Sequence, residues 1–305
     1  MRFHQGRGPF VFDNSGSAYV DYILGYGPVV LGHASPEFNK IVYSVLDDGW
    51  HFPTYSPIHD DFVEGFFEEW EGDQGVMILR HSSDAVTAAI RLASYVTGRK
   101  GVIRCGYTGW HDTSIAGSPP WHDPVPFRQS KESKFLSAFY RGVTGDEWTV
   151  DWFDLTAPTL DAILSRYGVP AALVVDTYQL ALGNQAEMRG AIDRVRAEGA
   201  VIVWDETKTA NRVGRYGVAA QTLATNEDFT VLGKAVANGA ALSMLVVPAD
   251  LIPAVDVVRI SGTFQKEIAP VAAALATMQV LSDRGGHPEL HRVTDMTVRA
   301  FNNGV

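Results

Sequence analysis

A lysine set in a run of apolar and small residues is the first chemical oddity of this chain. Lys234 lies in Phe229-Thr230-Val231-Leu232-Gly233-Lys234-Ala235-Val236-Ala237-Asn238-Gly239. Burying its ammonium is costly, and a depressed pKa is the easiest escape, which suits an amine that forms a Schiff base with a carbonyl. The plainer alternative is a surface lysine whose stem snorkels along a turn. Lys208 is the competing amine, but its neighbours Thr207, Thr209 and Asn211 read as solvated. Two acids end apolar runs: Asp205 directly follows Ala200-Val201-Ile202-Val203-Trp204, and Asp176 ends Leu173-Val174-Val175. A carboxylate so placed holds a metal, a ribose hydroxyl or a cationic ring nitrogen, or else serves as a turn acid or helix cap. In Arg80-His81-Ser82-Ser83-Asp84, between a strand and a helix, the hydroxyls and amides of Ser82 and Ser83 suit a phosphate. Capping is the commoner use of such serines. Tyr107, in Gly106-Tyr107-Thr108-Gly109-Trp110-His111-Asp112, offers a flat face for a ligand or for rim packing.

These residues need a scaffold that gathers strand ends. Val76 to Leu79 reads as a strand, followed by a helix from about Asp84 to Thr97 with Ala85, Ala88, Ala89 and Leu92 at helical spacing, stopped by Gly98. Further strands are expected at 101–105, 171–175 and 200–204, with a helix from about Met188 to Glu198 between the last two. Apolar runs unbroken by polar residues mean strands covered on both faces. The expected fold class is therefore α/β, a mainly parallel sheet with helices on both faces, whose ligands sit beyond the carboxyl ends of the strands. Residues 10–30 fit a hairpin turning at Asp13-Asn14-Ser15-Gly16. The proline-rich stretch 117–150 reads as a surface excursion bordering the site. Beyond Val247 the chain turns helical, at about 249–257, 267–281 and 288–301. The expected organisation is an N-terminal segment with a hairpin over 1–45, a large α/β domain over 46–255 and a helical segment over 256–305.

Composition narrows the function classes. With 46% hydrophobic and 20% charged residues among 305, the chain reads as globular. Its 25 basic and 35 acidic side chains leave a net charge of −10, which gives no basic field for nucleic acid or a membrane surface. No apolar run approaches bilayer length, the single cysteine Cys105 cannot form an intrachain disulfide, and Met1-Arg2-Phe3-His4-Gln5 is too polar for a signal peptide, so a cytoplasmic location is expected. No glycine-rich dinucleotide loop, Walker loop or Gly-x-Ser-x-Gly elbow is present, and the nine histidines lack metal spacing.

In order along the chain, these features resemble the class III aminotransferases of the fold-type I pyridoxal-phosphate enzymes, and most closely the glutamate-1-semialdehyde aminomutase branch. Tyr19-Val20-Asp21-Tyr22 through Gly25-Tyr26-Gly27-Pro28-Val29-Val30-Leu31-Gly32-His33-Ala34-Ser35-Pro36-Glu37 is similar to that branch's amino-terminal signature. The helix from Asp84 to Ala93, Tyr107-Thr108-Gly109-Trp110-His111-Asp112, Trp204-Asp205-Glu206, Leu232-Gly233-Lys234 and Gly262-Thr263 follow the family too. The resemblance implies a fold-type I transferase whose C-terminal small domain is largely absent, the sequence stopping at Phe301-Asn302-Asn303-Gly304-Val305 as a fragment or a reduced form. It implies pyridoxal 5'-phosphate held by Lys234 as an aldimine, with Asp205 facing the pyridinium nitrogen, Tyr107 stacked on the ring, Ser82 and Ser83 at the phosphate, and Thr263 reaching the phosphate of the other subunit of a homodimer. The implied activity is an aminotransferase acting on an amino donor and a carbonyl acceptor. Alternatives are an aminomutase and a catalytically reduced family member. Three departures stand out. The family's Asn-Ser-Gly-Thr-Glu-Ala is here Arg80-His81-Ser82-Ser83-Asp84-Ala85, its Glu-Pro is Asp176-Thr177, and its histidine after the tyrosine is Thr108. Arg2, Arg7 and Arg212 are candidates for a substrate carboxylate.

Overall fold

The structure is a computed structural model that describes residues 2–111, 148–152, 155–181, 185–219 and 223–304. Most of the proline-rich excursion expected at 117–150 lies outside the described residues. At the amino terminus, β1 (Phe3–Arg7), β2 (Phe10–Asp13) and β3 (Ala18–Val20) form an antiparallel sheet, so the expected hairpin gains a third strand in front of it. Asp13 makes the turn by accepting from the Ser15 amide at 2.9 Å and the Ser17 amide at 3.1 Å.

The central sheet has seven strands in the order β4-β10-β9-β8-β7-β5-β6. These are β4 (Gln74–Leu79), β5 (Val102–Cys105), β6 (Thr149–Asp151), β7 (Ala172–Asp176), β8 (Val201–Asp205), β9 (Phe229–Gly233) and β10 (Ser243–Pro248). From β9 to β6 all pairings are parallel, whereas β10 runs antiparallel between β9 and β4. The sheet is therefore mainly parallel, as the buried apolar runs predict.

Side-chain alternation assigns its two faces. Ala172, Val174, Val203, Phe229, Val231, Leu245 and Val247 pack under α3 (Ser82–Thr97), through Ala85, Ala89, Leu92 and Ala93. On the opposite face, Ile103, Leu173, Ile202 and Trp204 meet α4 (Ala157–Tyr167) and α5 (Gln185–Ala197). Ile78, Leu232 and Met244 on that face join a cluster with α2 (Pro57–Phe67) and the later helix α7 (Ile268–Asp283). Helix α1 (Pro36–Leu46) lies against α7, while α6 (Ile252–Val257) and α8 (Gly286–Gly304) complete the chain. No described helix is long and apolar enough to cross a membrane.

Helices α1, α2 and α4 are absent from the periodicity reading, yet all three start alike. Ser35, Ser56 and Thr156 are their N-caps, each with proline at the first or second helical position. A hydroxyl cap followed by proline is a start signal independent of an apolar stripe.

Candidate active site

The carboxyl ends of β4, β7, β8 and β9 and the first residue of β10 share one edge of the sheet. Asp176 pairs directly with Asp205, and Ser243 pairs with both Gly233 and Leu79. By alternation from the residues beneath α3, Asp176, Asp205, Gly233 and Ser243 all belong to the α3 face. The helix N-terminus opens over that face, because Leu79 is followed by only two residues before Ser82.

At that N-terminus the capping expected of the two serines is done by other residues. His81 is the N-cap, and Asp84 reaches back to accept its N–H at 3.0 Å, which completes a capping box. Ser82 and Ser83 are thus the first two helical residues, and neither hydroxyl has a hydrogen-bond partner among the described residues. The amides of a first turn have no acceptor inside the helix, so amides and hydroxyls together form a concentrated donor set. Gly109, with φ of 107°, lies against Ser83, and a β-carbon there would fall 2.8 Å from the Ser83 hydroxyl. At Gly233 a β-carbon would fall 2.5 Å from the Ser82 hydroxyl, so the missing side chain keeps a cradle open beside the lysine.

Lys234 opens the short turn Lys234–Ala237 at the end of β9 with a left-handed φ of 49°. For a lysine this conformation is uncommon and costs backbone energy, a kind of strain that concentrates at functional positions. Its pKa is lowered, first by burial and then by the Lys208 ammonium, with Arg212 adding to the effect and Asp205 and Asp176 opposing it. Neighbouring chain segments fix its surroundings: Asn211 donates to the Ala235 carbonyl at 3.1 Å, and Asn238 accepts the Leu31 amide at 2.9 Å. The latter bond brings the N-terminal segment over the lysine. At Gly27, φ 100°, a β-carbon would lie 2.9 Å from the Arg212 guanidinium and 3.8 Å from the Lys234 stem.

Asp205 is buried at the end of β8, where it accepts the Thr207 amide at 3.1 Å. Its pKa is pushed up to about 7 by burial and by the charge of Asp176, against the pull of Thr207 and Lys208. The loop beyond it is buried rather than solvated: Thr207, Thr209 and Asn211 are all under one-tenth exposed, which corrects the expectation for Lys208's neighbours. The cause is Glu206. Its buried carboxylate accepts from the Thr177 hydroxyl at 2.8 Å, from the Val218 amide at 2.9 Å, from the Ala219 amide at 2.5 Å and from the Thr209 hydroxyl, folding the loop inward. Sequence reasoning missed this anchor, although an acid directly after Asp205 was a visible signal. Lys208 is drawn in with the loop and forms an ion pair with Asp176.

The remaining candidates are spread around this edge. Tyr107 is 41% exposed, donates its amide to Asp176 at 3.3 Å and has the Lys208 ammonium 5.7 Å from its ring centre. Thr263 is exposed and starts the turn Thr263–Lys266, where Gly262 is the cap, while Glu267 caps α7. Thr263 therefore caps neither that turn nor α7. That turn meets the sheet edge through the Arg80–Glu267 ion pair. Arg212 is half-buried, donates to the Lys208 carbonyl at 3.1 Å and has no carboxylate partner among the described residues. Arg2 and Arg7 are exposed on the N-terminal sheet. Among the described residues no histidine, cysteine or acid cluster could hold a metal ion.

The site therefore combines a helix end with unpaired donors, a buried acid of raised pKa and a strained lysine of lowered pKa, groups whose chemistry suits an anionic carbonyl compound. Known proteins show the same combination of fold and family. The profile of the family "Aminotransferase class-III" matches residues 1–303. The chain is 30% identical over 304 residues to 2'-deamino-2'-hydroxyneamine transaminase of Streptomyces kanamyceticus, covering 99% of this chain and 71% of that protein. It is 27% identical to glutamate-1-semialdehyde 2,1-aminomutase of Rhodopirellula baltica, covering 95% of this chain and 66% of the relative. A solved transaminase with pyridoxal phosphate bound superposes with a TM-score of 0.74 at 22% identity, covering 92% of this chain and 66% of that one. The fold is thus that of the pyridoxal-phosphate transaminases, and the chain spans about two thirds of the length of these proteins. By profile and by identity over nearly its whole length, this chain belongs to the class-III aminotransferase family.

Proposed function

We propose that this chain is a pyridoxal 5'-phosphate-dependent aminotransferase that moves an amino group between an amino acid or amine and a carbonyl compound. The observation that carries the reading is the convergence of Lys234, Asp205 and the N-terminus of α3 on one sheet edge, with side-chain-free Gly233 between the amine and Ser82. The residues present fit the cofactor. Gly233 keeps a cradle open, the buried hydroxyl of Ser243 has no partner among the described residues, and Asp205 is an acid short of positive charge.

Each side chain then has a task. Ser82, Ser83 and the first amides of α3 bind the phosphate, where the helix end favours negative charge. Asp205 would hold the ring nitrogen, and a positive charge there would favour the ionised form of the acid. Tyr107 would offer its ring as a flat surface for the cofactor. When bound, the cofactor supplies an electron sink for charge developing on the substrate carbon that bears the amine. Lys234, held toward the neutral amine by burial, is the base placed to take that carbon's proton at Nζ. Arg212 supplies a guanidinium beside Lys234 for a substrate carboxylate. An aminomutase would use the same groups while retaining the amino group on one carbon skeleton, a reading favoured by the aminomutase relative. In either case the working unit is a homodimer in which Thr263 completes the phosphate site of the partner subunit.

The test is borohydride reduction of the purified chain with pyridoxal 5'-phosphate, followed by peptide mass spectrometry. A pyridoxyl group is expected on Lys234, and Lys234→Ala should lose both the adduct and amino transfer from amino acids to 2-oxo acids. An adduct on Lys208 in its place overturns the assignment.

A further inference from the structure

Lys208 has no task in the reading above, yet it occupies the centre of the site's charge. Its ammonium forms an ion pair with Asp176, whose carboxylate is 1% exposed, while Lys208 itself is 27% exposed. Asp176 and Asp205 end neighbouring parallel strands as directly paired residues on the same face. Adjacent strands lie about 5 Å apart, so two uncompensated carboxylates at this place would oppose each other's ionisation. One cation beside one of them opposes that conflict, as the Lys208 ammonium does in pulling against the rise of the Asp205 pKa.

The same ammonium also touches the walls of the site. It lies 5.7 Å from the centre of the Tyr107 ring and 5.8 Å from that of Tyr178. Asp176, its partner, accepts the amides of Tyr107 at 3.3 Å and Tyr178 at 3.2 Å. At Gly106, φ 90°, a β-carbon would fall 2.4 Å from the Asp176 side chain, so the backbone approaches this ion pair closely. A single Lys208–Asp176 pair thus ties together the loop after β5, the turn after β7 and the loop after β8.

We propose that Lys208 is a positioning residue of this site: it neutralises Asp176, leaves Asp205 as the acid that faces the cofactor's ring nitrogen, and pins the Tyr107 ring at the edge of the cradle. The inference rests on the reading of Lys234 and Asp205 given above. The groups that face Lys234 are Asp205 from β8, Asp176 from β7, and Lys208 and Arg212 from the loop after β8. Removing the Lys208 charge therefore acts on Lys234 twice, by deleting a nearby cation and by releasing the Asp176 charge. Both changes favour the protonated ammonium, so the amine becomes available only at higher pH.

The experiment titrates the full chain and its variants with pyridoxal 5'-phosphate from pH 6 to pH 9.5, following the absorbance of lysine-bound cofactor, then reduces with borohydride and maps the modified lysine. In Lys208→Met the midpoint should rise by about one pH unit, and affinity at pH 7.5 should fall about tenfold, one unit being one decade in the reactive amine. Lys208→Arg should restore both values to near those of the parent. The double variant Asp176→Asn/Lys208→Met should recover most of the shift, and it serves as the test if Lys208→Met alone fails to fold. A Lys208→Met profile that matches the parent, a double variant shifted by as much as one pH unit, or a loss of thermal stability with an unmoved midpoint overturns the inference and leaves Lys208 a structural pin. If the parent itself carries its adduct elsewhere than Lys234, the underlying functional reading fails instead, so the two failures are distinguishable.

Discussion

Asp205 carries a cost in stability at the place where the proposed function needs an acid. Its pKa is pushed up from 3.8 to about 7 in the folded chain, so the folded state binds a proton more tightly than the unfolded state does. The cofactor-free protein therefore loses stability from this group as pH rises from about 4 to about 7, and the loss is complete above that range. At roughly 1.4 kcal/mol per unit, the full penalty is about 4 kcal/mol at most. Asp205→Asn keeps the shape and removes the charge. It should make the cofactor-free chain more stable than the parent at pH 8, with a gap that shrinks as pH is lowered toward 4, as read by thermal unfolding across that range. Proton removal from an amino donor should meanwhile slow by orders of magnitude while cofactor still binds, because nothing then stabilises a protonated ring nitrogen. Turnover within a few-fold of the parent would make the carboxylate merely structural.

At the scale of elements, the site depends on one helix start meeting one strand end without an intervening side chain. Gly233 has an extended φ of 179°, which any residue adopts, so its need for glycine comes only from the 2.5 Å approach of the Ser82 hydroxyl. Gly233→Ala should therefore displace the first turn of α3, weakening pyridoxal 5'-phosphate binding tenfold or more, whereas the unfolding midpoint of the cofactor-free chain should hardly move. Adding Ser82→Gly should restore part of the affinity by giving the new methyl room. Equal loss of stability and affinity would instead mark Gly233 as a packing residue. Much of this edge was legible in sequence, because buried parallel strands advertise themselves as apolar runs and their terminal acids follow directly, as at Asp176 and Asp205. What sequence concealed were specific polar contacts that apolar patterning does not encode. The turn of Lys208 toward Asp176 depends on Glu206 gathering amides 12 and 13 residues away, and the His81–Asp84 box that frees Ser82 and Ser83 needs a cap geometry that composition does not specify. Helices α1, α2 and α4 escaped a search for apolar stripes, although their hydroxyl-proline starts were in plain view.

For the whole molecule the proposed function raises the question of which groups would complete the proposed phosphate site. Thr263 is exposed, caps nothing and sits in a turn whose next residue, Phe264, is 61% exposed. Around that turn the surface is apolar: Trp50, Phe52 and Tyr55 are also exposed, His51 meets the Phe264 ring edge at 6.1 Å, and Ile268 donates to the Trp50 carbonyl at 2.9 Å. Arg80, at the lip of the α3 N-terminus, lies 5.9 Å over the same phenyl ring and pairs with Glu267. The threonine turn is thus bound to the edge that carries the proposed phosphate cradle, inside an exposed aromatic surface of the kind that partners cover. A two-fold dimer would use this surface twice, each protomer lending its Thr263 to the other's cradle. Complementation tests the arrangement. In a heterodimer of Lys234→Ala with Thr263→Ala, one site carries both lesions and the other carries none. Each variant alone should be impaired, Lys234→Ala completely and Thr263→Ala through cofactor affinity. Unfolded and refolded together at equal amounts, half the dimers are mixed, so about a quarter of all sites should regain parental cofactor affinity and turnover. If instead the two variants merely average their separate activities, or if light scattering finds a monomer that binds pyridoxal 5'-phosphate at full strength, each cradle is complete within one chain and Thr263 has no part in its neighbour's site.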